Sequence, residues 1–243
     1  MEVAMRKGFL KKLLINIVFV LLIIVALGLI FNRQIKNELI KSYHPTITRK
    51  TVVQAERRAK KQTPRHKKNV SYNFKKVKSL DFQTAAEARM NTNRLEVIGE
   101  VLLPKSHIHL PIGLGVANTT LALAAGTMRA DQQMGKGNYP LAGHHMVNPN
   151  VLFGPLYFKT KVDDHVYLSN MKRVYQYKVY QRTFIAATRV DVVRQTKQPI
   201  VTLVTCDATG AGRLMIRGKF QKSYRLTKAT PKLKRALLGP VNN

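Results

Sequence analysis

Between Leu13 and Phe31 the chain runs nineteen residues without a charge, and Asn16 is the one strongly polar side chain among them. Rising about 1.5 Å per residue as an α-helix, such a run crosses the hydrocarbon core of a bilayer. Ala26-Leu27-Gly28 has the small residues of a secretory cleavage site, but the run is longer than the core of a cleaved signal. The expectation is a retained transmembrane helix over residues 13–31, preceded by a cytoplasmic N-terminus, residues 1–12. Arg6, Lys7, Lys11 and Lys12 precede it, while Arg33, Lys36, Lys41, Arg49 and Lys50 follow it, so flanking charge alone barely orients it. A short N-terminus that need not cross, followed by a large domain, favours placing that domain outside.

Charge is the second constraint. Lys and Arg number 42 against 12 Asp and Glu, a formal net charge of +30. Such an excess attracts polyanions, whether nucleic acid, anionic lipid head groups or an anionic wall polymer. It is concentrated after the apolar run, where residues 33–80 hold 15 basic and 2 acidic side chains. Residues 32–90 are therefore expected to form a basic linker or stalk. Residues 56–78, with Glu56-Arg57-Arg58-Ala59-Lys60-Lys61 and Arg65-His66-Lys67-Lys68, offer few large apolar side chains to offset the entropy of ordering. Two readings stay open, a flexible spacer and a tether lying on an anionic surface. A nucleic-acid partner is disfavoured, because the chain has no Trp and the basic segment is not interleaved with aromatic residues for stacking on bases.

From residue 91 to 243 short β-branched and aromatic runs alternate with Gly, Pro and Asn, a pattern of many short strands. Strands are expected at Leu95–Leu102, His107–Ile112, Tyr139–His145, His165–Leu168, Val174–Thr183, Ile200–Cys206 and Leu214–Phe220. Seven or eight strands in one domain predict an all-β fold closed as a barrel. The Ala- and Leu-rich stretch Asn118–Met128 predicts one short helix, with Asn118 or Thr119 as its cap. The single cysteine excludes an intramolecular disulfide, and seven scattered histidines lack the spacing of a tetrahedral zinc site.

That cysteine, Cys206, ends the run Thr202-Leu203-Val204-Thr205-Cys206. A lone cysteine there fits a small core side chain as readily as a nucleophile, because free cysteine is among the most buried residue types. His144 and His145, after Leu141-Ala142-Gly143, could supply the acid/base partner of a thiol. On a strand the two imidazoles would face opposite sides, so only one could meet the sulfur. Arg213 lies seven residues beyond the cysteine, and a hairpin through Asp207–Gly212 would return it beside the thiol. Its permanent charge could stabilise an oxyanion; it could equally be a solvated surface charge.

Taken together, Leu-Ala-Gly-His, then Thr-Leu-Val-Thr-Cys, then Arg213, in a β-rich domain behind an N-terminal apolar segment, resemble the sortase family. Val97-Ile98-Gly99-Glu100-Val101, Leu110-Pro111-Ile112 and Gly126-Thr127-Met128 extend the resemblance over about residues 90 to 225. One N-terminal apolar segment, with no second one after Phe220, resembles the class A, housekeeping type. The resemblance implies an eight-stranded sortase-type β-barrel with short helices, residues 91–243, held on the outer face of the cell membrane by a single-pass anchor.

It implies a cysteine transpeptidase acting on surface proteins that carry a Leu-Pro-any-Thr-Gly (LPXTG) sorting signal, cleaved between Thr and Gly. Cys206 would form a thioester, His144 would serve as acid and base, and Arg213 would hold substrate and oxyanion. The acceptor would be the amine of the peptidoglycan precursor lipid II, with no cofactor. Thr205 would add a hydroxyl or backbone contact, and Ala117, Ala142, Ile185, Val190, Val192 and Val204 would wall the groove for the Leu-Pro part. Some family members bind calcium through clustered carboxylates; Arg129–Lys136 here offers only Asp131, so no metal is expected. The alternatives are a pilin-polymerising sortase and a non-catalytic, membrane-tethered binder of wall polymer.

Overall fold

The computed structural model describes residues 2–60, 70–74, 77–206 and 210–241. Eight strands carry the fold: β1 (Val97–Leu103), β2 (Ile108–Gly113), β3 (Ala125–Thr127), β4 (Asn138–Ala142), β5 (His165–Ser169), β6 (Arg173–Ala186), β7 (Ile200–Cys206) and β8 (Gly212–Arg225). They close into a barrel in the order β1-β2-β3-β4-β7-β8-β6-β5, which leaves no open edge. The β2–β3 and β4–β7 pairs are parallel and the others antiparallel.

Strand alternation decides what fills the barrel. Val201 and Leu203 of β7 and Leu214 and Ile216 of β8 are fully buried and join Leu110, Leu141 and Tyr177 in the main core. The intervening residues, Val204 and Met215, face away and pack under Val192 in a second apolar cluster. That outer cluster becomes the floor of the groove described below.

Seven helices are described. The first, α1 (Glu2–Ile30), exposes its large apolar side chains from Leu13 to Ile30, with Leu29 71% and Ile30 68% accessible. Its stretch Lys12–Ile30 is long and apolar enough to cross a membrane. After it come α2 (Asn32–Lys41), α3 (Arg49–Lys60) and α4 (Phe82–Met90), then α5 (Asn118–Leu123), α6 (Gly154–Lys159) and α7 (Pro231–Leu238).

The segment expected as a stalk differs from a solvated spacer over its described part. Val52 and Ala55 of α3, and Ala85 and Ala88 of α4, are each spaced one helical turn apart and at most 1% exposed. Asp81 caps α4, accepting from the Thr84 amide at 2.7 Å, and Arg58 holds Glu96, just before β1, through Nη2–Oε2 at 2.7 Å. Small residues at helical spacing therefore suffice to lay these helices on the barrel without large side chains. Lys61 and the basic run Arg65–Lys68 lie outside the described residues.

Two further expectations need correction. The helix predicted to Met128 ends at Leu123, and Ala125–Thr127 instead pair with both β2 and β4; closing the barrel satisfies their backbone and overrides local helix propensity. The strand predicted to His145 ends at Ala142. His144 and His145 thus sit in a loop, where alternation no longer dictates opposite faces.

Candidate functional site

The parallel β4–β7 pair brings together residues distant in sequence. Ala142 lies beside Val204, and the Gly143 amide donates to the Val204 carbonyl at 3.1 Å. One residue further, the chain leaves the sheet and His144 comes to the groove that Cys206, the last residue of β7, also lines. A side chain at 143 would prevent this path: an ideal Cβ there would lie 2.5 Å from the ring of Phe153, which is fully buried. Phe153 is in turn tied to the loop, its amide donating to the His144 carbonyl at 3.3 Å.

Across the antiparallel ladders Cys206 faces Arg213 of β8, and Arg213 faces Ile185 of β6. Directly opposed residues project from the same face, so the thiol, the guanidinium and Ile185 form one row. Arg213 is fixed by its own turn, Nη1 donating to the carbonyls of Gly210 at 3.0 Å and Gly212 at 2.7 Å. The tip of the expected hairpin, Asp207–Thr209, lies outside the described residues. Cys206 is half-buried and its sulfur is free.

His144 is electrostatically unusual. Burial, and secondarily the nearby charge of Lys36, push its imidazole from the ordinary 6.5 down to about 4. It is therefore neutral at pH 7. Its Nε2 is buried with no hydrogen-bond partner among the described residues. A neutral ring with an unengaged nitrogen, on a residue lining a thiol-bearing groove, is suited to take or give a proton there.

The groove, about 390 Å³, places His144, Cys206, Arg213, Thr205, Ala142, Ile185, Val190, Val192 and Val204 along one cavity. Ala117 stands just before α5 and does not line it. Alternation turns the side chain of Thr205 with Leu203 toward the barrel interior, where its Oγ1 is buried without a partner among the described residues. What Thr205 offers the groove is thus its backbone. The lining also includes Leu121, Met128, Val193 and the segment Val77–Ser79. Leu121 and Met128 were hidden by the overlong helix, and Val77 arrives from outside the predicted domain, so no local pattern could have marked it.

No group of three His, Cys, Asp or Glu side chains gathers anywhere among the described residues. Asp131, the carboxylate in the region that would hold calcium, is engaged by Arg129 at 2.7 Å.

A thiol, an imidazole and a guanidinium thus line one groove at the rim of a mixed barrel. A family model described as the sortase domain matches residues 101–221. Sortase A of Listeria monocytogenes is 34% identical over 213 residues, covering 86% of this chain and 92% of that protein. Sortase A of Streptococcus agalactiae is 34% identical over 232 residues, covering 92% of this chain and 91% of that protein. The solved structure of Listeria monocytogenes sortase A superposes with a TM-score of 0.54 at 37% identity, covering 58% of this chain and 97% of that one. The chain belongs to the sortase family of cysteine transpeptidases.

Proposed function

We propose that this sortase A homologue cleaves an LPXTG-type sorting signal between Thr and Gly and transfers the protein to the amine of a lipid II peptidoglycan precursor. The observation that carries this reading is the β4–β7 pairing, which delivers His144 to the groove of Cys206 while β8 sets Arg213 opposite the sulfur. Apolar Ala142, Ile185, Val192 and Val204 suit the Leu-Pro part of the signal, and the half-buried thiol lies at the end of that wall.

The steps follow from these groups. The Cys206 sulfur attacks the Thr carbonyl, its proton passing to His144, and Arg213 stabilises the oxyanion. His144 then returns the proton to the departing glycine amine as the C–N bond breaks, leaving a thioester. The incoming amine adds to that carbonyl, His144 accepts its extra proton, and the C–S bond breaks to release the thiolate, which recovers the proton. One amide replaces another, with no redox change and no cofactor. Helix α1, exposed and apolar, serves as a single-pass anchor with the barrel on the outer face of the membrane.

Incubating the protein with an LPXTG peptide and a free amine should give a peptide mass on Cys206 and the amine-exchanged product by mass spectrometry. Cys206→Ala should give neither. Product formation by the alanine variant would remove the cysteine from the chemistry.

A further inference from the structure

A second groove, about 650 Å³, meets the first at Ser79, His144, Cys206 and Gly210. It runs the other way, toward Leu29 and Ile30 in the last turn of α1, and carries Arg33, Lys36 and Asn37 of α2. The two cavities differ in chemistry: the first is walled largely by aliphatic side chains, while the second presents two cations at the foot of an apolar helix.

Asn37 is the most informative residue there. It is 8% exposed, and its Oδ1 is buried with no hydrogen-bond partner among the described residues. An unmet buried acceptor is costly, and Asn37 lines the same cavity as His144, whose Nε2 is likewise unengaged among the described residues. An amine satisfies both, since one N–H can donate to an amide oxygen while another proton passes to an imidazole. Lys36 donates to the Leu80 carbonyl at 3.0 Å, and Arg33 is exposed with no carboxylate partner among the described residues. A cation so placed suits the diphosphate of a molecule whose tail lies in the bilayer that holds α1.

We propose that this second groove is the acceptor subsite: Arg33 binds the anionic linkage of a lipid-borne amine, and Asn37 Oδ1 receives the amine beside Cys206. This rests on the transpeptidase reading above and adds the route by which the second substrate reaches the thioester. The sorting signal enters over the aliphatic wall and the acceptor from the membrane side, so neither displaces the other.

The test uses the full chain in zwitterionic phosphatidylcholine vesicles, with an LPXTG peptide and either a polyprenyl-diphosphate-linked amine or soluble hydroxylamine as acceptor. Arg33→Gln and Asn37→Leu should each raise KM for the lipid-linked amine about tenfold, while thioester formation and capture by hydroxylamine stay within about twofold. Arg33 is exposed, so its variant reports even if the buried substitution at 37 unfolds. Unchanged KM for the lipid-linked amine overturns the subsite. So does equal loss with hydroxylamine, or a loss seen only when anionic phosphatidylglycerol is added, which would mark Arg33 as a general headgroup contact. Absence of a thioester in the wild type would instead defeat the transpeptidase reading itself, and the subsite with it.

Discussion

Adding one methyl group at Gly143 should damage both stability and turnover. An ideal Cβ would sit 2.5, 2.7 and 2.9 Å from Cδ2, Cγ and Cε2 of Phe153. Carbon pairs prefer about 3.5–4.0 Å, so ring and loop must separate by roughly 1 Å. Phe153 is fully buried among Leu152, Leu156 and the rest of the main core, leaving the ring nowhere to retreat. Overpacking of this kind costs about 1–3 kcal/mol, a fall in Tm of about 2–10 °C for a domain of this size. The loop is the softer side, and its movement carries His144 away from Cys206; a misplacement near 1 Å can cost on the order of 100-fold in rate. Thermal denaturation and peptide-transfer kinetics on Gly143→Ala measure both effects. Combining it with Phe153→Leu, which removes the clashing ring edge, should recover part of the lost turnover although Phe153→Leu alone is destabilising. Wild-type Tm and rate in Gly143→Ala would refute the close-packing account of how His144 is placed.

Arg213→Ala should lower turnover by about 100- to 1,000-fold, as loss of an oxyanion donor does, with the circular dichroism of the folded barrel retained; a rate near wild type would free Arg213 from the site. His144 stays neutral in the fold at a pH where an unfolded histidine is charged. It therefore contributes stability that is fully present above about 6.5 and is lost as pH falls through about 4. Unfolding midpoints at pH 7 and pH 4.5 should differ more for the wild type than for His144→Gln, and equal differences would contradict the burial of this ring. Val192→Ser, which puts a hydroxyl into the apolar groove wall at a residue 4% exposed, should raise KM for the peptide several-fold with little change in kcat; an unchanged KM would place the Leu-Pro contacts elsewhere. A chelator should leave turnover unchanged, and strict dependence on added calcium would reverse that reading of Asp131.

The barrel was legible because strand periodicity is local. The runs 200–206 and 214–220 are rich in β-branched and apolar residues, and their register puts Cys206 opposite Arg213 as a hairpin requires. That Cys206, His144 and Arg213 share one groove could be expected from motif order, yet nothing local shows that β4 pairs in parallel with β7, which is what brings His144 to the groove of Cys206. The boundaries that failed did so where tertiary pairing outweighed propensity, as at Ala125–Thr127, or where one glycine ended a strand early, as at Gly143. The helices of residues 32–60 and 82–90 were missed because Val52, Ala55, Ala85 and Ala88 are too small to register as a hydrophobic face until a barrel surface is supplied. The depressed basicity of His144 depends on burial and on Lys36 from α2, and a linear reading holds neither.

The parallel seam between β4 and β7 also joins, at the groove, stretches of chain distant in sequence. Its strands are joined by a long excursion through β5 and β6, so closing the seam costs more chain entropy than closing the β7–β8 hairpin. Until β4 and β7 pair, the imidazole of His144 is not delivered to the groove of Cys206, whereas Arg213 reaches it through the local β7–β8 hairpin. On the transpeptidase reading proposed above, catalytic competence therefore requires that this seam be closed.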